Sequence, residues 1–570
     1  MGVRRATELA LKAANDPRNP QPIRTLGPLI HNRQVTGLLE TKGVGSVDED
    51  DIPEGGTAII RAHGVTQQKT RELDESCGNV IDATCPHVQR VQQIAHRYSG
   101  EGCHVVVAGD ADHAEVISVM DHARGKGHVV ATPDDVDDLP QMDSVVAVAQ
   151  TTQSTELYAQ IVEKLRERWP DCRVFDTICR STEKRQDDVR ELAQEADAVV
   201  VVGGYHSANT RRLAEISSNT GTPTRHVETA DELDPDWLLQ YETIGVSAGA
   251  STPTWMITRI VRRIRAIQRR TDSRLHRALR SILAVAVHTN LFLGGGAAAL
   301  TFANFLLMDL PLGWVLWSCC SLSLFFIMGQ HLLNQYVKRQ AIYLHDPDKG
   351  DFFKRHGRLL LGLGVGSLVA ALGVAYLLGW PTFVLIAAGS GAGILYRVRF
   401  GDRISRALGI ASMQQIPGSK EIFVALAWAV TTALIPAMSA GLSVSRWKTG
   451  AAAFVFALLL ACQRTLITDF REREADQLIG RETVMVALGE KAAQRLYAAG
   501  AGMTAAVLVV PPLMGWTTGL SYLLTALVPF TAGVFTLLRY RALPEAELGE
   551  ALVDSKFYLS GLLAALWLVA

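Results

Sequence analysis

No CxxC pair occurs anywhere in this sequence. Its eight cysteines are Cys77, Cys85, Cys103, Cys172, Cys179, Cys319, Cys320 and Cys462, and the five in the first half are widely and irregularly spaced. That is a poor framework for disulfides in a large domain, and it suits a reducing compartment. Neither sign of charge is in excess: 56 Lys and Arg face 57 Asp and Glu, a formal net charge of -1. A global electrostatic argument for nucleic-acid binding is therefore missing, and no such partner is expected. The opening segment MGVRRATELALKAA lacks an apolar core. A cleaved signal peptide is accordingly not expected, and the first half is expected in the cytoplasm.

What is present divides sharply in two. Residues 1–280 are rich in Asp, Glu, Arg and His, while 281–570 are dominated by Leu, Ala, Val, Gly and Phe. In the first half, short apolar runs at Thr57–Ile60, His104–Ala108, Ser144–Ala149, Ala198–Val202 and Ile244–Ser247 predict buried parallel strands. Amphipathic stretches at Val88–Tyr98, Thr155–Arg168, Arg185–Ala196 and Thr210–Thr220 predict helices between them. This alternation gives an α/β module with functional loops at strand carboxyl ends, and its spacing permits three lobes, about 1–85, 86–175 and 176–265. Residues 256–280 then form an Arg-laden helical connector, with eight arginines between Arg262 and Arg280. It is expected to be a basic juxtamembrane segment, its linker portion at 266–281.

From residue 282 onward the pattern predicts an all-α membrane domain of about nine transmembrane helices. The candidate spans are 282–308, 311–333, 358–380, 381–398, 419–440, 448–469, 492–516, 517–538 and 557–570. With the amino-terminal half inside the cell, loops 334–357, 399–418, 470–491 and 539–556 are cytoplasmic and hold nearly all the Lys and Arg. The opposite loops carry almost none, Arg446 and Lys448 excepted. That is a positive-inside pattern, and it places the chain in the cell inner membrane as a multi-pass protein against membrane lipid.

Several loops after the expected strands carry polar residues with chemical potential. They are His31 in LIHNRQV, His63 in RAHGV, Cys85 in DATCP, His113 and Glu115 in DADHAEV, and Thr151 in AQTT. Further on come Cys179 in DTICRST, Ser207 and Asn209 in HSANT, and Ser251 in AGAST. Singly, each reads as an ordinary loop residue. In this order, the segments resemble the 4-hydroxy-3-methylbut-2-enyl diphosphate reductase family over residues 1 to about 265. The resemblance implies three α/β lobes around a central 4Fe–4S cluster held by three cysteines, with one iron open to substrate. Cys85 and Cys179 would be cluster ligands, and Glu115, helped by Thr151, would deliver the proton that lets the hydroxyl leave as water. His31, His63, His113, Thr151, Ser207, Asn209 and Ser251 would bind a prenyl diphosphate. Electrons would come from a donor such as ferredoxin or flavodoxin.

Two departures from the family stand out. Ala208 replaces a serine common in its phosphate loop. The family's opening strand ends in Gly-Phe-Cys before a Gly-Val, and this chain begins at Gly2–Val3, so the third ligand is expected upstream of Met1. The alternatives are a catalytically silent module, or substitution by another thiol. Cys103 and Cys172 sit in no matching loop, and Cys77 and Cys172 are expected to be structural.

In the second half, TDFREREADQLIGRETVMVALG places Asp469, Glu472 and Asp476 at i, i+3 and i+7, on one helical face. Carboxylates so grouped can hold Mg²⁺ against a diphosphate. The alternative is an interfacial loop in which Arg471, Arg473 and Arg481 pair with those acids. The segment resembles the second aspartate-rich motif of the UbiA family of membrane prenyltransferases, through Asp469, Arg471, Glu472, Asp476, Gly480, Arg481, Thr483 and Leu488–Gly489. The likeness covers about 280–570. The family's first motif is altered: in NQYVKRQAIYL, Asn334 is a remnant, but Gln335, Lys338 and Ile342 stand at expected acidic positions. His345, Asp346, Asp348 and Asp351 lie downstream as candidate replacements, although DPDKGD is equally a turn.

Overall fold

The computed structural model describes the chain apart from residues 1, 17, 31, 49–50, 251, 269–273, 338–341, 343–345, 397–411, 417, 444–445, 480–482 and 540–545, and apart from the side chains of 2–4, 33–34, 38, 180–183, 254, 347, 415, 472–479, 486 and 546. It divides into two compact units, Met1–Thr271 and Asp272–Ala570.

The first unit contains eleven strands in three separate sheets. These are β1 (Ile23–Leu26), β2 (Val44–Val47), β3 (Thr57–Ile60), β4 (Asn79–Asp82), β5 (His104–Ala108), β6 (Gly127–Val130), β7 (Val145–Ala149), β8 (Arg173–Val174), β9 (Ala198–Val202), β10 (Thr224–Val227) and β11 (Ile244–Ala248). The sheet orders are β2-β1-β3-β4, β6-β5-β7-β8 and β10-β9-β11. Every described pairing is parallel. Helices cover both faces of each sheet, so the central strands read as unbroken apolar runs. In β7 and β9 all five residues are buried.

Helix starts follow local chemistry. The Ser154 and Thr66 hydroxyls each accept a backbone N–H three residues on, satisfying donors that the first helical turn leaves over. The helix Thr254–Gln268 corrects the expected connector. Its Ile260, Ile264 and Ile267 pack into the core under the third sheet, so it belongs to that lobe.

Among the described residues of the second unit, seven helices are long and apolar enough to cross a membrane. An eighth span follows only if Arg274–His288 and Leu291–Leu307, which turn by 72° at their junction, are taken together. The expected straight span at 282–308 is therefore broken. Asn290 adopts the left-handed conformation (φ 55°), and helical backbone cannot run through it. The expected segment 381–398 is the shorter helix Trp380–Leu395. Residues 346–351 do not form a free turn: the Asp346 side chain accepts from the Lys349 N–H and starts the helix Pro347–Leu378.

Packing in this unit uses small residues and satisfied polar groups. A side chain at Gly561 would lie 2.9 Å from the Ala299 Cβ, and one at Gly294 2.8 Å from the Leu324 carbonyl. Both glycines let helix backbones approach closely, which drives association where lipid is as apolar as the side chains. Trp428 stacks on Phe557 at 4.3 Å. A π-helical turn, Val430–Leu434, interrupts the helix that starts at Ser419. Pro436 has no N–H to offer the Thr432 carbonyl, and the Asn304 side-chain amide donates to it at 2.9 Å instead.

Arg464 and Asp554 form a two-pronged ion pair at 2.5 and 3.2 Å, both almost fully buried. Lys556 beside them donates to the Leu460 carbonyl at 2.8 Å. Replacing Asp554 by Ala is expected to destabilise this unit by about 3–5 kcal/mol, because Arg464 would lose its carboxylate inside the bundle. The joint variant Arg464→Met with Asp554→Leu should recover most of that loss. Unfolding in detergent checks both, and an Asp554→Ala protein as stable as the parent would refute the pair's role.

Candidate active site

Each described candidate of the first unit lies just beyond the carboxyl end of a parallel strand, where strands stop and backbone groups open to a ligand. His63 follows β3, Cys85 follows β4, and His113 and Glu115 follow β5. Thr151 follows β7, Cys179 follows β8, and Ser207 and Asn209 follow β9. His31 and Ser251 follow β1 and β11 in sequence but lie outside the described residues.

The three lobes meet through these ends. The His63 and His113 rings lie edge to face at 5.2 Å, joining the first lobe to the second. The Ser118 hydroxyl donates to the Val65 carbonyl at 3.0 Å and braces the same junction. The Cys179 N–H donates to the Thr151 carbonyl at 2.9 Å, and Arg190 pairs with Glu156. Asn32 reaches the Met256 sulfur at 3.4 Å, tying the first lobe to the third.

Glu115 sits in the first turn of the helix Ala114–His122, where His113 is the N-cap and its Nδ1 accepts the Glu115 N–H. The Glu115 side chain is buried. One carboxyl oxygen accepts the Thr151 N–H at 2.7 Å, and the other accepts the Thr151 hydroxyl at 2.9 Å. Burial raises its pKa to about 7 against the lowering pull of those two bonds. A carboxyl poised there can hold and release a proton near neutrality.

Cys85 and Cys179 occupy equivalent positions, each the N-cap of a helix and each without a side-chain hydrogen bond to its first turn. Both are half-buried. Sulfur is the donor atom that iron–sulfur ligation uses, so the chemistry of these two side chains fits it. The other thiols differ. Cys172 packs in the core of the second lobe, where burial pushes it up to about 11, and Cys103 is buried against the Ser144 hydroxyl. Among the described residues, no group of three or more His, Cys, Asp or Glu is arranged to hold a single metal ion.

On the third lobe, the Ser207 hydroxyl caps the helix Ala208–Asn219 by accepting the Thr210 N–H. Asn209 is buried, with neither its amide nitrogen nor its oxygen hydrogen-bonded among the described residues, and the Thr210 hydroxyl is likewise orphaned. Buried polar atoms left over in this way mark a place where a polar ligand completes the bonding. A Cβ on Gly249 would stand 2.0 Å from that hydroxyl, so only glycine fits there.

Residues 1–265 match the family model described as LytB protein. Over 263 residues the chain is 44% identical to the 4-hydroxy-3-methylbut-2-enyl diphosphate reductase of Geobacter sulfurreducens, covering 46% of this chain and 92% of that one. The chain belongs to the 4-hydroxy-3-methylbut-2-enyl diphosphate reductase family. Another reductase of that name, from Pelobacter propionicus, is 43% identical over 269 residues, 47% of this chain and 95% of the relative. A solved (E)-4-hydroxy-3-methyl-but-2-enyl diphosphate reductase shares 39% identity, with a TM-score of 0.39 over 47% of this chain and 95% of its own.

The reductase likeness ends near residue 265, and residues 356–561 match the model of the UbiA prenyltransferase family. A UbiA homolog from Aeropyrum pernix K1 aligns at 11% identity and a TM-score of 0.38, covering 47% of this chain and 96% of its own. One from Archaeoglobus fulgidus, solved with GPP and Mg²⁺, aligns at 15% and 0.37 over 50% of this chain and the whole of its own.

The second unit holds a cavity of about 540 Å³. Asn334 and Ile342 line it, and the Gln335 amide, also lining it, is bonded to Asn290 at 2.8 and 3.3 Å. Asp469 is fully buried and bonded to the Lys420 ammonium at 2.5 Å. Glu472 and Asp476 belong to the helix Trp447–Ile479 as expected, but their side chains, like Lys338 and His345, lie outside the described residues.

Sequence reasoning missed Thr210, Lys420 and Arg464. The available signals were a hydroxyl three positions past an N-cap, and lone cations inside the apolar runs SKEIFVAL and ACQRTLITD.

Proposed function

We propose that residues 1–265 convert 4-hydroxy-3-methylbut-2-enyl diphosphate to isopentenyl and dimethylallyl diphosphate, and that the second unit is a prenyltransferase-like domain fixing this activity to the inner membrane. The observation that carries the reading is the buried Glu115 carboxyl, tuned near neutrality and held by Thr151 at the junction of the lobes. In this reading, Asn209, Thr210 and Ser207 with His63 and His113 hold the diphosphate, together with His31 and Ser251. Thr151 positions the substrate hydroxyl and the Glu115 carboxyl. The C–O bond of the allylic alcohol breaks, and the Glu115 proton goes to the departing oxygen, giving water. A second proton ends on either terminus of the allylic unit, which accounts for two products. A 4Fe–4S cluster, held in part by the Cys85 and Cys179 thiolates, would supply Lewis acidity and two electrons from a ferredoxin or flavodoxin.

The first unit would face the cytoplasm, and the second would cross the bilayer nine times, with Trp380–Leu395 and the bent pair as full spans. Anaerobic full-length protein given a reduced viologen and 4-hydroxy-3-methylbut-2-enyl diphosphate should release both five-carbon products; no release from iron-replete protein would end this reading. Asn209→Leu provides a second check. It removes orphaned buried polar atoms, so the melting temperature is expected to rise while KM for the diphosphate increases about tenfold or more. An unchanged KM would remove Asn209 from the binding set.

A further inference from the structure

The cavity of the membrane unit is lined by more cations than carboxylates, and two of those cations have their partners outside the lining. Lys420 and Arg464 line the cavity, whereas their partners Asp469 and Asp554 do not. Arg471 also lines it, as does Lys349, whose ammonium holds both oxygens of the lining Glu550 and whose backbone N–H is accepted by the lining Asp346. A carboxylate binds Mg²⁺ only if its oxygens can reach the ion, and at Asp469 one oxygen is taken by the Lys420 ammonium. At the first motif, Gln335 and Ile342 replace acids, and the Gln335 amide is closed on Asn290. Among the described residues the Mg²⁺ that the UbiA family implies does not fit, because each carboxylate at the cavity is already held by a cation or an N–H.

We propose that this cavity binds the phosphate end of a prenyl phosphate or diphosphate directly through Lys420, Arg464 and Arg471, with no divalent cation. The inference deepens the prenyltransferase-like reading above and rests on it. Ammonium and guanidinium groups make short, charge-assisted bonds to phosphate oxygens. Phe326, Ile386, Phe423 and Trp428 supply apolar wall for an isoprenoid tail. Asn334, whose buried amide oxygen is unbonded among the described residues, offers a polar contact at the head end.

The test uses full-length protein in detergent, and any binding that Lys420→Gln leaves unchanged is assigned to the reductase half. Farnesyl diphosphate is titrated in EDTA and again in Mg²⁺. Dissociation constants should agree within about twofold, Lys420→Gln should weaken binding about tenfold or more, and Lys420→Arg should retain it. Binding seen only with Mg²⁺ overturns the metal-free inference and leaves the prenyl diphosphate reading standing. Absence of binding in both buffers removes both. Farnesol binding as tightly as its diphosphate would show that the cations do not read the head group. Inorganic pyrophosphate binding equally tightly would assign the site to free anion and overturn the lipid assignment.

Discussion

Replacing Glu115 by Gln is expected to lower kcat by about 10²–10⁴-fold, the usual contribution of a positioned proton donor. The substitution is nearly isosteric, and the amide oxygen can still accept the Thr151 N–H that now bonds the carboxylate at 2.7 Å. Fold and substrate affinity should therefore survive, and steady-state kinetics on iron-replete protein separates KM from kcat. Turnover within tenfold of the parent would exclude Glu115 as the donor.

Its titration gives the same experiment a pH axis. Burial holds the Glu115 carboxyl near pKa 7, so the donor form persists below neutrality and turnover is expected to fall as pH rises through about 7. The sign for stability follows. Between about 4.5 and 7 the folded carboxyl holds a proton that the unfolded chain has released, so stability declines across that window. The cost of the buried charge is complete above it, about 3 kcal/mol at 1.36 kcal/mol per pKa unit. Glu115→Gln should flatten that decline in thermal melts between pH 5 and 8.

Replacing Cys85 or Cys179 by Ala is expected to abolish turnover and to strip most iron and acid-labile sulfide from anaerobically purified protein. Both thiols stand at helix N-termini with their first turns uncapped. Serine there is the informative control: its hydroxyl is a preferred N-cap, so stability should hold or rise by about 1 kcal/mol while iron is still lost. Cys172→Ala should keep its iron, because Cys172 fills the core of the second lobe. Equal iron content in parent and both alanine variants would remove these thiols from the assignment.

The parts of the fold that sequence made visible share one property. The runs at Thr57–Ile60, His104–Ala108 and Ala198–Val202 are central strands, buried on both faces, and they stand where expected. The short neighbours β1, β2, β4, β6, β8 and β10 escaped notice because two to four mixed residues carry no clear period. Glu115 and Thr151 stood out singly as loop residues, and their pairing across 36 residues is what the structure adds. In the membrane half, hydropathy located the apolar segments but could not reveal the break at Asn290. Nor could spacing alone tell that Asp469 faces Lys420, 49 residues away in the chain.

The Arg464–Asp554 pair has a consequence for how the protein is made. Its two halves are 90 residues apart, so Arg464 leaves the ribosome well before its partner. At a helix centre an arginine raises the cost of insertion by about 2.5–3.5 kcal/mol. Asp554, on the helix Ala546–Val569, offsets that cost for the helix Trp447–Ile479 once the two pack together. The late helix thereby acts as a clasp on the earlier one, and a chain that lacks it leaves the Arg464 guanidinium without its carboxylate.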